Sequence, residues 1–155
     1  MYSLKPGLKF LNSKEIKEIK KKLERQYETI GPLDYAFLIN EKNKVFVVKK
    51  EVGQISLDSL RINTVGVYIC EDYGDEVRLS IEGSQIVGPY ATKNVLPLDK
   101  EKARQWLKGY DVEFLGEASG YVIIKSGNDY MGSAKHKNGT LLNHVPKERR
   151  IRASD

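Results

Sequence analysis

Short runs of β-branched and aromatic residues recur through the second half of this chain, with turn residues between them. The runs occupy residues 77–81, 94–98, 112–115, 121–125, 130–134 and 140–142. Short strands at such spacing are typical of a small barrel or sandwich. Asn138-Gly139 lies between the last two runs, and this dipeptide predicts a tight hairpin turn. The second half is therefore predicted to be a compact β-rich unit.

One helix is predicted inside this β-rich unit. Asp99 is placed to cap its start, and Gly109 to end it in a left-handed conformation. Ala103, Trp106 and Leu107 share one helical face. Trp106 has a ring that can stack on a nucleobase, but its place on this apolar face predicts that it belongs to the core.

The first half combines a helix with β-strands. Ile16, Ile19, Leu23 and Tyr27 recur at helical spacing after a cap at Asn12 or Ser13. The pattern then predicts a hairpin at residues 34–40 and 44–49, and a buried strand at residues 64–70. The outward face of the helix carries Lys14, Lys17, Lys21 and Arg25. Such a row of cations fits a solvated surface as well as a contact with a partner.

An acidic segment with a glycine, residues 71–76, separates the two halves and is interpreted as a linker. Its carboxylates lack the spacing of a known metal-binding loop, so no metal site is predicted. The predicted fold class is α+β. Residues 1–72 would form a small α/β domain, and residues 73–155 a β-barrel domain with one or two helices.

The composition excludes several classes of protein. The chain has 155 residues, a net charge of +5, and Cys70 as its only cysteine. One cysteine cannot form an intrachain disulfide, and with two histidines it cannot supply a four-ligand zinc site. No apolar run approaches the roughly 20 residues that a membrane helix needs. We expect a cytoplasmic protein that uses no cofactor and does not associate with membranes.

Cations are concentrated near the end of the chain, where Glu148 is the only acid between residues 135 and 152. The cations there are Lys135, Lys137, Lys147, Arg149, Arg150 and Arg152. Crowded cations repel one another unless a polyanion neutralises them, so nucleic acid is the first partner to consider. Tyr90, Lys93 and Tyr121 are weaker candidates for stacking or backbone contacts. The alternative is a charged tail that only keeps the protein soluble.

No catalytic pattern stands out in the sequence. The glycines at positions 83 and 88 fit neither a dinucleotide fingerprint nor a phosphate loop, and they predict a turn and a short helix. Cys70 closes an apolar run, which indicates a structural role. His136 and His144 have no motif partners, and basic neighbours would lower their pKa. A site near residues 71–76 or His136, and a role in protein interaction alone, remain alternatives.

Residues 73–152 resemble the PUA domain, an RNA-binding β-barrel of RNA-modifying enzymes. The similarity is greatest to the C-terminal domain of RNA cytosine-5 methyltransferases. It rests on the segment from Asn94 to Asp99 that leads into the helix, on Gly120-Tyr121-Val122, on Gly132-Ser133-Ala134-Lys135, and on Asn143 with Pro146-Lys147-Glu148-Arg149. By order of elements, the whole chain also resembles archaeal two-domain PUA proteins related to a ribosome-biogenesis factor.

The resemblance implies the binding half of such an enzyme without the catalyst. Those methyltransferases carry a large cofactor domain with a catalytic cysteine next to proline, and this chain has no Pro-Cys pair. We therefore expect a protein that is not an enzyme and that binds structured ribosomal or transfer RNA through shape and backbone contacts. An RNA-modifying enzyme or pre-ribosomal proteins are further candidate partners.

Overall fold

The chain adopts an α+β fold, which confirms the predicted class. The computed structural model describes residues 7–53, 66–118, 120–152 and 154. These residues form two five-stranded sheets. Within the same residues, no helix is long and apolar enough to cross a membrane.

The first sheet is an antiparallel meander in which each strand pairs with the next along the chain. Its strands are Lys9–Phe10 (β1), Ala36–Ile39 (β2), Lys44–Val48 (β3), Val67–Asp72 (β4) and Val77–Leu79 (β5). The helices in this part of the chain are Ser13–Tyr27 (α1) and Lys50–Gly53 (α2). The strand predicted at residues 64–70 corresponds to β4, although its first two residues lie outside the described part of the chain.

Helix α1 begins at the first of the two predicted caps. The Asn12 side chain accepts a hydrogen bond from the Glu15 amide at 2.9 Å, and the Glu15 carboxylate accepts one from the Asn12 amide at 3.0 Å. This reciprocal pair satisfies two amides that the first helical turn leaves without partners. The apolar face then packs Ile19, Leu23 and Tyr27 into the core, as their spacing predicts.

The second sheet has the strand order β6-β8-β9-β10-β7, and only β6 and β8 run parallel. Its strands are Val95–Pro97 (β6), Val112–Glu113 (β7), Gly120–Ser126 (β8), Asp129–Lys137 (β9) and Thr140–Leu142 (β10). Helices Ile81–Val87 (α3) and Lys100–Leu107 (α4) precede β6 and β7, and the segments Gly88–Tyr90 and Lys147–Arg149 form 3-10 helices. The β-barrel predicted for this half stays a prediction.

Two sequence predictions for the second sheet are confirmed. Asn138 and Gly139 have φ angles of 53° and 77°, and they close a two-residue turn between the paired residues Lys137 and Thr140. Positive φ at both positions is the geometry that Asn-Gly favours. Trp106 is fully buried, and its Nε1 donates to the carbonyl of Met131 at 3.0 Å. The predicted place of Trp106 in the core is therefore confirmed.

The predicted linker is part of the first sheet. Asp72 pairs with Val77 across the hairpin of β4 and β5, so the acidic segment is a tight turn between two paired strands. The Asp72 carboxylate also forms an ion pair with the Lys22 ammonium group of α1, at 2.9 Å. The core that contains Ile19, Leu23 and Tyr27, which we call the first core, also includes Val87 and Ile123, which follow this turn in sequence. The predicted boundary between residues 72 and 73 stays a prediction.

Candidate nucleic-acid interface

Lys135 of β9 lies in a cluster of aromatic and cationic side chains. Its ammonium group is 2.6 Å from the Glu76 carboxylate and 4.7 Å from the centroid of the Tyr121 ring. The hydrogen bond to Glu76 raises the pKa of Lys135, so the side chain stays charged. The structure therefore brings together two predicted RNA contacts, Lys135 and Tyr121.

The cluster continues from Tyr121 onto the first sheet. Tyr73 stacks on Tyr121 with centroids 6.1 Å apart, and the Arg78 guanidinium lies 5.4 Å from the Tyr73 centroid. The His144 and Tyr121 ring centroids are 6.1 Å apart, and His144 Nδ1 is 3.2 Å from an Arg78 nitrogen. We call these five side chains the aromatic–cation cluster. Because aromatic rings and arginine planes stack on bases, the cluster has the composition of a nucleic-acid contact surface.

The surroundings of His144 favour its neutral form. Burial lowers its pKa, and the neighbouring Arg78 lowers it further. Since a guanidinium only donates hydrogen bonds, Nδ1 accepts and the ring proton sits on Nε2. That nitrogen is buried and has no hydrogen-bond partner among the described residues. His136, in contrast, bonds the carbonyls of Phe114 and Ala118 at 2.9 and 3.2 Å.

Two predicted arginines are held by other groups. Arg149 forms an ion pair with Glu82 of α3 at 2.6 Å. Arg150 donates to the carbonyl of Val145 at 3.0 Å and lies directly against Gly109, where a Cβ atom would collide with it. These contacts fix the basic segment against the folded unit, so it is not a detached tail.

Lys137, Lys147 and Arg152 are exposed. Lys137 stands at the end of β9 beside the hairpin turn, and Lys147 begins the 3-10 helix after Pro146. Within the described residues, Lys137 and Lys147 have no carboxylate within ion-pair distance. Their charges are available to an external anion without breaking an internal pair.

Tyr90 and Lys93 lie apart from the aromatic–cation cluster. The Tyr90 ring is half-exposed and lies against Gly31, which has a φ of 77°. Lys93 lies in a shallow depression beside α1, next to Lys21 and Arg25. The structure therefore does not join these two predicted contacts to the others.

A groove of about 300 Å³ lies between the two sheets. Lys44, Tyr68 and Arg78 line it from the first sheet, and Met131, His144 and Arg149 line it from the second half. Lys44 and Arg78 alternate with the buried residues Val45, Val77 and Leu79, so their side chains project from the face opposite α1. We call this space the inter-sheet groove.

The sequence prediction missed Lys44, Tyr68, Tyr73 and Arg78. Arg78 stands between two buried residues in a short strand, and that alternation marks a side chain on the opposite face of the sheet. The alternation does not indicate which part of the chain packs against that face. Tyr73 belongs to the segment interpreted as a linker, so no contact was predicted for its side chain.

Asn143, which the sequence motif contains, has a positioning role. Its Nδ2 donates to the carbonyls of Trp106 and Tyr110 at 2.8 and 2.9 Å, and its Oδ1 accepts from the amide of Val145 at 2.8 Å. The side chain therefore ties the end of β10 to the end of α4. This contact sets the direction in which the chain leaves toward Arg149.

Residues 93–151 match the family model described as the methyltransferase RsmF PUA domain. This part of the chain is therefore similar to a PUA domain. It resembles the PUA domain of RNA cytosine-5 methyltransferases, as predicted. Of the predicted contacts, the matched residues contain all but Tyr90 and Arg152. The residues that line the inter-sheet groove from the first sheet all lie before the match.

Relatives with the name "Ribosomal RNA small subunit methyltransferase F" extend the similarity beyond the PUA domain. The Aeromonas salmonicida protein is 25% identical over 139 residues, which cover 89% of this chain and 28% of that protein. The Vibrio parahaemolyticus protein is 24% identical over 88% of this chain and 30% of its own length. The Vibrio cholerae protein is 29% identical over 59% of this chain and 20% of its own length. The chain thus spans less than a third of these relatives.

Two predictions are corrected by these relatives. They are named as methyltransferases, which are enzymes, so the prediction that the chain is not an enzyme is wrong. The matches cover the part of the relatives that contains the PUA domain. The relatives are also bacterial, so the predicted resemblance to archaeal two-domain proteins is not supported.

Proposed function

We propose that this chain binds structured ribosomal RNA and provides that binding to ribosomal RNA methylation. The observation that carries the proposal is the match of residues 93–151 to the PUA domain of an RsmF-type methyltransferase. The names of the relatives supply the class of RNA and the reaction. Transfer RNA is the competing ligand among structured RNAs.

The distribution of charge supports an RNA ligand. Lys137 and Lys147 are exposed cations of the PUA-like part of the chain, Lys135 belongs to the aromatic–cation cluster, and Arg149 lines the inter-sheet groove. Because A-form helices hide base edges from side chains, structured RNA is held mainly through phosphates, 2′-hydroxyl groups and shape. Cations on a rigid scaffold next to stacking groups suit that task.

The test compares two charge reversals of equal size by fluorescence anisotropy with labelled small-subunit ribosomal RNA fragments. The first variant is Lys137→Glu with Lys147→Glu, inside the PUA domain. The second, Lys14→Glu with Lys17→Glu, changes the net charge equally on the outward face of α1. We expect the first variant to reduce the log–log slope of affinity against salt by about 1.5, since each lost phosphate contact removes about 0.7 to 0.9.

The control variant is expected to change the salt slope by much less, because its charges lie away from the PUA domain. Equal losses in the two variants would refute the location of the interface. Wild-type affinity that does not depend on salt would refute phosphate recognition altogether. Tighter binding of transfer RNA than of ribosomal RNA fragments at equal salt would replace the proposed ligand.

A further inference from the structure

The inter-sheet groove is a composite site. Lys44, Tyr68 and Arg78 enter it from β3, β4 and β5, whereas His144 and Arg149 enter it from the segment after β10. Neither sheet alone contains the site. The three residues from the first sheet lie outside the matched PUA residues 93–151, so a ligand in the groove would contact both parts of the chain at once.

The size of the groove limits what it can hold. A volume of about 300 Å³ is at the lower end of small-ligand sites, which span roughly 300 to 1,000 Å³. A double helix is too wide for such a space. In RNA, the units of suitable size that proteins take up are unpaired nucleotides, which can leave the stack and insert into a protein site.

The charges in the groove match one phosphodiester. Lys44, Arg78 and Arg149 contribute three positive charges to its lining, and Glu82 and Glu148 contribute two negative charges. The neutral His144 adds none. The net charge is therefore +1, which complements the single negative charge of one phosphate in an RNA strand.

Arg78 is better placed than Arg149 to receive that phosphate. Among the described residues, Arg78 has the Glu71 carboxylate 3.8 Å away, whereas Arg149 is held by Glu82 at 2.6 Å. The Arg78 side chain is about one quarter exposed. A guanidinium offers phosphate two parallel hydrogen bonds, which a weak ion pair at this distance does not prevent.

Tyr68 supplies an aromatic surface next to Arg78. The ring is half-buried, and the Lys44 ammonium lies 5.3 Å from its centroid. The Phe46 ring also packs against the Tyr68 ring, with the two ring centroids 5.8 Å apart. A ring fixed in this way can present a rigid surface to a base without losing side-chain freedom on binding.

We propose that the inter-sheet groove takes up a single unpaired nucleotide of an RNA strand, with its phosphate on Arg78 and its base beside Tyr68. This inference rests on the proposed function, because it specifies how the same RNA would be recognised. It adds that the RNA must carry an unpaired nucleotide, and that the first sheet takes part in recognition.

Trp106 offers a direct readout in the unmodified protein. It is the only tryptophan of the chain, and it lines the inter-sheet groove from the side of the core that it forms with Val122 and Leu141, which we call the second core. Its fluorescence is measured while a short single-stranded RNA oligonucleotide, or a blunt duplex of the same sequence, is added. We expect the single strand to change the emission saturably and the duplex to leave it unchanged.

Matched variants locate the site. Arg78→Gln should weaken binding of the single strand about tenfold, since it removes a charged phosphate contact. Lys14→Gln removes the same charge from α1 and should change the affinity less than about twofold, because salt screens distant charges. Tyr68→Leu should also weaken binding, whereas Tyr110→Leu, at a 56% exposed ring outside the groove, should not. Circular dichroism and thermal unfolding establish that each variant is folded.

The outcomes separate this inference from the proposed function. If RNA binds with the expected salt dependence but Trp106 emission is unchanged and Arg78→Gln equals Lys14→Gln, the groove proposal is wrong and RNA binding stands. If neither the single strand nor the duplex binds, the groove proposal and the proposed function are both wrong. A saturable emission change with poly-glutamate, and none with RNA, would show that the groove takes an acidic peptide instead and would overturn the proposal.

Discussion

The six predicted cations differ in what each one contacts. Lys135 and Arg149 each have a carboxylate at 2.6 Å, whereas the exposed Lys137 and Lys147 have none within ion-pair distance in the described part of the chain. An ion pair near the surface contributes little to stability, but it holds its two side chains in place. Paired cations therefore give a fixed geometry, and unpaired ones give charge that a phosphate can neutralise without competition.

His144 provides a titratable probe of the aromatic–cation cluster. Burial and the Arg78 charge both lower its pKa. We predict that Arg78→Gln raises the pKa of His144 toward its ordinary value, because the variant removes the charge and leaves the burial. The measurement is a proton NMR titration of the ring signals. The chain has only two histidines, so His136 serves as the internal control.

The same shift has a defined effect on stability. Since the pKa of His144 is lower in the folded than in the unfolded chain, protonation favours unfolding. The contribution of His144 is fully present above its ordinary pKa of about 6.5, and it is lost as the pH falls from there to the folded pKa. In Arg78→Gln this acid-dependent loss should become smaller. An unchanged His144 pKa in the variant would show that Arg78 does not act on the ring.

At the level of elements, the start of α1 allows a prediction with a neighbouring control. Asn12→Ala should lower the free energy of unfolding by about 1 kcal/mol, because it removes a side-chain cap from the first helical turn. Ser13→Ala should be nearly neutral, since Ser13 is already inside the helix. Urea unfolding followed by circular dichroism measures both. A larger cost for Ser13→Ala than for Asn12→Ala would contradict the assigned cap.

Elements specified by local chemistry could be predicted from the sequence. The capping residues of α1, the spacing of Ile19, Leu23 and Tyr27, and the Asn138-Gly139 turn each depend on residues within a few positions of one another. The structure shows all three at the predicted places. For the same reason the core position of Trp106 followed from its helical face.

The assignment of β5 to a sheet could not be predicted in this way. A three-residue strand that alternates Val77, Arg78 and Leu79 fits the edge of either sheet, because its pattern does not specify its partner. Its pairing with β4 places Arg78 in the inter-sheet groove. The groove therefore depends on contacts between distant segments, such as Arg78 with His144. The spacing of residues along the sequence does not indicate such contacts.

At the scale of the whole molecule, the two cores meet in β8. Val122 belongs to the second core with Trp106, and its neighbour Ile123 belongs to the first core with residues of α1 and β3. Successive residues of a strand face opposite sides of the sheet, so one strand serves both cores. β5 also joins the predicted halves, because it belongs to the second half, pairs with β4 of the first sheet, and accepts a hydrogen bond from the Ser133 hydroxyl of β9 at the carbonyl of Leu79.

We predict that the chain unfolds in one cooperative transition because of this shared strand. Ile123→Ala should cost about 2 to 5 kcal/mol, since it leaves a cavity in the first core. Val122→Ala is the matched change in the second core. Urea unfolding is followed by Trp106 fluorescence for the second core and by far-ultraviolet circular dichroism for the helices, of which α1 is the longest among the described residues. In both variants, the two signals should shift together.

The predicted division into residues 1–72 and 73–155 requires a different result. If the halves were independent domains, Val122→Ala would move the Trp106 transition and leave that of α1 in place. Separate midpoints would thus contradict the shared-core argument and support the boundary. Coincident midpoints would mean that a disturbance in either core reaches the inter-sheet groove, because the residues on its two sides keep their spacing only while both cores are folded.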